Sequence, residues 1–250
     1  MIEAALSLHQ AAAAILGSFL LAFLRIGAVL ALLPALGNRL LPARIRLACG
    51  FALAAAVAPT LGEPIDITPA IIATEATIGL AIGAVLRFMA QALIMAGMMA
   101  AQMTSLAQLF GTVEPSSAIG NVLNLAGLAL LMAAGLPLMI VDLLIRSYEI
   151  FPIGLPPVAG DLARWGIGRV GEAFALAFGL AAPFALLAIL YNLAMGILNR
   201  AMPQLMVAMV GAPAITWASA LLLFLAAPLM LIVWRAAMIA AIGDPIGGRP

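Results

Sequence analysis

The chain has 250 residues, 66% of them hydrophobic and only 8% charged, with a net charge of +1. A soluble domain carries about 25% charged residues, so this composition excludes a water-soluble enzyme, a disordered chain and a secreted disulfide scaffold. It accommodates about five or six apolar helices of about 20 residues each, and its long unbroken apolar runs exclude an outer-membrane barrel, whose strands alternate.

The first apolar run is Ala11 to Leu36, interrupted by Arg25. No arginine precedes Arg25, and Glu3 and His9 stand where a signal peptide would be basic, so an uncleaved first helix is expected. The loop Gly37 to Arg46 follows, with Arg39, Arg44 and Arg46 around Pro42, a pattern that points to the cytoplasmic side. A second run, Leu47 to Leu61, closes on the acidic turn Gly62 to Asp66. Next comes Pro69 to Met103, about 35 residues, more than one span needs. It contains Glu75 and Arg87 and reads as a kinked long helix or a helix pair. The stretch Thr104 to Gly120 is the most polar interior segment.

A fourth run, Asn121 to Ile145, holds Pro137 and Asp142. Arg146 to Glu172 reads as a connector rich in proline and glycine. The fifth run, Ala173 to Leu198, is expected to break near Pro183. After the turn Asn199 to Gln204, the last stretch runs from Leu205 to Ile242. It is expected to split at Gly211-Ala212-Pro213 and again at Pro228. The sum is an all-α, polytopic membrane protein of about six hydrophobic segments, with 1–250 forming a single membrane domain.

Side chains able to do chemistry are scarce. All eleven basic residues are arginine, which removes lysine-dependent phosphate loops, Schiff bases and serine–lysine dyads. One histidine, His9, and one cysteine, Cys49, cannot assemble a zinc or iron site with nitrogen and sulfur ligands. Cys49 reads as a small buried hydrophobe. Asp142 is the single aspartate in an apolar run, too few for an intramembrane aspartyl protease. No cofactor, no metal and no nucleic-acid partner are expected, and catalysis is disfavoured.

Four ionisable residues lie within apolar runs: Arg25, Glu75, Arg87 and Asp142. A charge at the bilayer centre costs about 2.5–3.5 kcal/mol, so each needs a partner or a wet cavity. They suit a solute pathway in a secondary transporter, or ion pairs at helix and subunit interfaces. The second is favoured, because a pump would show more acidic residues in its helices. Glu75 and Arg87 are twelve apart and meet only if their segment folds back. Met95, Met98, Met99 and Met103 fall on one helical face, as ordinary packing or as a deformable seal. Gly79-x-x-x-Gly83 permits close helix approach. Breaks at Gly135-Leu136-Pro137 and Gly211-Ala212-Pro213 belong beside protein or water rather than lipid.

The order of these features resembles the FliR/SctT family of type III secretion export-gate proteins over nearly the whole chain. The resemblance rests on Leu24-Arg25-Ile26-Gly27, the basic loop Leu41 to Leu47, and Glu75, Gly79 and Gly83. It continues through Ala96-Gly97, Gln102, Glu114-Pro115-Ser116-Ser117 and Arg146 to Gly154. Its strongest piece is Ala194-Met195-Gly196-Ile197-Leu198-Asn199-Arg200-Ala201-Met202-Pro203-Gln204-Leu205, followed by Gly211-Ala212-Pro213. Glu114-Pro115 stands where Asp-Pro is usual, and Met206 where Asn is usual.

The resemblance implies a non-enzymatic subunit of a gate in the bacterial inner membrane, at the flagellar basal body. Unfolded export substrates would pass through that gate. It implies FliP-like and FliQ-like partners, with FlhB-like and FlhA-like proteins nearby and membrane lipid around them. A FliP-like portion would span about 1–170 and a FliQ-like hairpin about 171–250. The polar segment would form a channel plug, with Phe110, Gly111, Thr112, Val113, Glu114, Pro115 and Ile119. Met95, Met98, Met99 and Met103 would face the pore, and Arg25, Glu75, Arg87 and Asp142 would serve buried charge and subunit contacts. A virulence-system SctT subunit and a small secondary transporter stand as alternatives.

Overall fold

Apolar runs without an internal stop signal form single long helices in the computed structural model, which describes residues 2–33, 42–61, 67–104, 115–202 and 207–244. All regular structure among these residues is helical. Helix α1 spans Ile2–Leu32 and α2 spans Ala43–Val57, with a 3₁₀ turn at Ala58–Leu61. Helices α3 (Pro69–Thr104), α4 (Pro115–Ala133) and α5 (Leu136–Ile150) follow, then α6 (Ala159–Ala201) and α7 (Val207–Gly243).

Pro69 opens α3 at a position where its missing N–H costs nothing. Thr68 caps it, its hydroxyl accepting from the Ile71 N–H at 3.3 Å. No proline follows within α3, so it runs unbroken for 36 residues. The long third segment is therefore one helix, and Glu75 and Arg87 do not meet by folding back. Pro137 acts as expected: Gly135 adopts φ 90°, and the helix breaks there, α4 ending at Ala133 and α5 opening at Leu136. A left-handed backbone there favours glycine, which has no Cβ to clash.

Two expectations fail. Pro183 lies inside α6, and Pro213 and Pro228 lie inside α7, without ending either helix. Each proline removes one backbone hydrogen bond, and the flanking turns carry the helix through. The irregular part of the Arg146–Glu172 connector is also shorter than its composition suggests. Helix α5 continues to Ile150 and α6 begins at Ala159, leaving only Phe151 to Val158 between them.

The described residues group into two compact units. One takes in those of 1–88, 134–169 and 240–250; the other takes in those of 89–133 and 170–239. In the first unit α1 and α2 run antiparallel. Phe51 meets Phe19 edge-on, with ring centroids 4.7 Å apart. Helix α3 runs parallel to α1 in this unit. A Cβ at Gly83 would crowd Val29 and Leu32 at 3.0 Å, and Gly79 lies so closely against Arg25 and Ala28 that a Cβ there would overlap them.

In the second unit Gly97 of α3 meets Gly120 of α4 with equal closeness. Trp234 of α7 is wholly buried and donates its indole N–H to the Met89 carbonyl at 2.9 Å. Helices α6 and α7 form an antiparallel hairpin. An apolar groove of about 440 Å³ lies at the connector in the first unit. A second groove, of about 680 Å³, runs between α4 and α7 in the second unit.

Among the described residues five helices are long and apolar enough to cross a membrane, or six when α4 and α5 count together as one broken span. Helix α6, with 43 residues, is about 65 Å long, more than twice the roughly 30 Å of bilayer hydrocarbon. Large apolar side chains stand exposed along α6 and α7, among them Phe178, Leu190, Trp217 and Phe224.

Candidate functional site

The most developed polar site is in the first unit, where α1, α3 and α5 converge on Arg25. The close approach at Gly79 sets its level. Glu75 stands one turn before Gly79 on α3, and its carboxylate reaches back across to the arginine. Arg25 and Glu75 are both fully buried, at 0% exposure.

The guanidinium is saturated. Its Nε donates to Glu75 Oε2 at 2.7 Å and one Nη donates to Oε1 at 3.0 Å, a bidentate pair. That same Nη donates to the Phe151 carbonyl at 2.9 Å. The other Nη donates to the Ser147 carbonyl at 2.9 Å and to the Ser147 hydroxyl at 3.4 Å. The Ser147 hydroxyl itself donates to the Leu144 carbonyl at 2.7 Å. Tyr148 closes the site, with the guanidinium carbon 3.8 Å from its ring centroid.

Arg25 therefore does two things at once. It neutralises Glu75, and it caps the C-terminal carbonyls of α5, where the helix dipole favours a cation. All five guanidinium N–H donors are occupied, so the arginine has none left for a solute; the buried Tyr148 hydroxyl has no hydrogen-bond partner among the described residues. The chemistry of the centre is that of a clamp joining three helices.

The other ionisable residues within apolar runs lie elsewhere. Asp142 is exposed and pairs with Arg146 one turn along α5, at 2.9 Å with side chains 57% and 42% exposed. Arg87 is exposed on the outer face of α3 and makes no ion pair among the described residues. Met95, Met98 and Met99 are partly exposed, and Met103 is exposed. The buried face of that half of α3 carries Ala92, Leu93, Ala96, Gly97 and Ala100 instead.

Of the expected plug, Phe110, Gly111, Thr112, Val113 and Glu114 lie outside the described residues. Pro115 opens α4, and Ile119 is buried in the second unit. Sequence reasoning missed Ser147 and Phe151, because a backbone carbonyl leaves no trace in residue type. It also missed Arg169, which is nearly buried and donates to the Asp244 carbonyl at 2.8 Å, beyond the end of α7. Cys49 is half-buried with a free thiol. No group of histidine, cysteine or carboxylate side chains among the described residues could hold a metal ion.

Long apolar helices, glycine contacts and a saturated buried ion pair define a multi-pass α-helical membrane protein with a structural polar centre. The family model for bacterial export proteins, family 1, matches residues 16–241, and the chain belongs to that family. It is similar to flagellar biosynthetic protein FliR of Caulobacter vibrioides, 32% identical over 204 residues, covering 77% of this chain and 81% of that protein. The FliR of Aquifex aeolicus is 30% identical over 228 residues, covering 86% and 87%. The FliR of Bacillus subtilis is 29% identical over 230 residues, covering 87% and 89%.

Proposed function

We propose that the chain is a non-enzymatic subunit of the flagellar type III protein export gate, helping to form the channel for unfolded flagellar proteins. The observation that carries this reading is the match to the export family over residues 16–241, joined by several FliR relatives along most of the chain. The structure is consistent in kind: its polar centre is a clamp whose guanidinium donors are all taken, and its long helices present apolar faces that call for cover.

On this reading the protein sits in the bacterial inner membrane at the flagellar basal body. It assembles with FliP-like and FliQ-like subunits, near FlhB-like and FlhA-like proteins. The portion to about residue 170 is the FliP-like part, and the remainder is a FliQ-like hairpin. The antiparallel pairing of α6 and α7 supports that division: Gly211 of α7 packs on Tyr191 and Met195 of α6. The segment from Ser105 to Gly120 serves as the plug, with Phe110 as its apolar stopper, and Met95, Met98, Met99 and Met103 face the pore.

Deleting the chromosomal gene should abolish secretion of flagellar subunits into the medium, and the wild-type gene on a plasmid should restore it. A copy lacking residues 105–114, which keeps α4 and its Gly97–Gly120 contact, should assemble but raise ion leakage, read from growth and membrane potential. Unchanged secretion after deletion would refute the export role. Wild-type leakage and export from the truncated copy would refute the plug alone.

A further inference from the structure

We infer that the outer stripe of α3 around Arg87 docks a membrane helix of a partner subunit, and that this helix carries an aspartate or glutamate at the level of Arg87. The inference rests on the export-gate reading and deepens it by naming a contact surface and its chemistry. Ala73, Thr77, Leu80, Ala84 and Arg87 recur at spacings of four, three, four and three along α3. That alternation places them on one seam suited to a facing helix. All but Ala84 are exposed, and Ala84 is half-buried, whereas the opposite face bearing Glu75, Ile78, Ile82 and Leu86 is buried against the rest of its unit. Two alanines on the seam let a second backbone come close. Thr77 turns its hydroxyl onto the Ala73 carbonyl at 2.7 Å, so Arg87 is the one polar group on the seam that has no partner among the described residues.

The position of Arg87 decides between lipid and protein as the occupant. It has 18 helical residues before it and 17 after it, about 27 Å and 26 Å. If hydrocarbon about 30 Å thick is centred on the helix, the guanidinium lies at the midplane, where an unpaired charge is strongly disfavoured. If the helix slides so that Arg87 reaches a headgroup, about half of α3 leaves the hydrocarbon. Either half is apolar: Ile71 to Leu86 on one side, or Phe88 to Met103, which has no charge at all. A lipid phosphate answers the arginine only in the displaced placements and leaves that half uncovered. A partner helix bearing a carboxylate answers both needs in every placement.

The test uses the full chain in its native membrane, with a photo-reactive amino acid at Leu80 or Ala84. The expected adduct is to a peptide from a membrane helix containing Asp or Glu, identified by mass spectrometry. In parallel, Arg87→Glu should reduce recovery of the assembled complex by about a hundredfold. Arg87→Lys should retain most of it, and changing the partner's carboxylate to arginine should rescue Arg87→Glu. Membrane levels of each variant alone report folding separately. Adducts to lipid only, or wild-type assembly of Arg87→Glu, would overturn the inference while leaving the export role standing. Failure of the wild-type chain to join any complex would overturn the export reading, and the adduct at Leu80 would still decide what covers α3.

Discussion

Replacing Glu75 with glutamine keeps the shape of the side chain and removes the charge that Arg25 answers. The fully buried guanidinium would then face a neutral amide, and leaving one partner of a buried pair uncompensated costs about 3–5 kcal/mol. Arg25→Lys should fare nearly as badly, because a single ammonium cannot span Glu75, Ser147 and Phe151 together. The double change Arg25→Met with Glu75→Met should be milder than either single change, since it removes both charges at once. Thermal melting of the detergent-solubilised protein checks all three. A double variant worse than both singles would contradict the clamp. The need for partners was legible in the sequence, because charges in apolar runs require them. The pairing itself was not: Arg25 and Glu75 are 50 positions apart, and nothing local chooses among four ionisable groups.

At the scale of helices, the glycines divide sharply. Gly79→Leu would drive its side chain into the Arg25 carbonyl and Ala28, pushing α3 from α1. A loss of at least about 1–3 kcal/mol is expected, with loosening of the Arg25–Glu75 pair on top. Gly166→Ala in α6 meets no heavy atom within 4 Å and should gain about 0.5–1 kcal/mol from helix propensity. Unfolding midpoints of the two variants should move in opposite directions. Trp234→Phe should cost about 1 kcal/mol by losing its bond to the Met89 carbonyl, and Trp234→Ala should cost about 3–5 kcal/mol. In sequence, Gly79-x-x-x-Gly83 was one small-residue pattern among many in a chain with 23 glycines. Only the packing shows it is the place where two helices touch. The prolines give the reverse lesson. Pro137, two residues after a glycine in a left-handed conformation, stands at a helix break, whereas Pro183, Pro213 and Pro228 pass inside continuous helices. A proline without a left-handed neighbour removes one bond and need not end the helix.

For the whole molecule, composition was enough to give an all-α membrane protein and about six apolar segments, because the bilayer sets helix length and forbids open backbone. Composition could not assign the role, since apolar helices are common to transporters and to subunits of larger assemblies. The ordered motifs and the family match supply it. Exposed apolar side chains along α6 and α7, and helices about 56–65 Å long, suit a chain completed by neighbours. The most direct test is the native mass of the detergent-extracted chain, co-expressed with the FliP-like and FliQ-like proteins of the same cell. A single large species containing all three is the predicted result. A stable monomer or homodimer that ignores both partners would contradict the export-gate account.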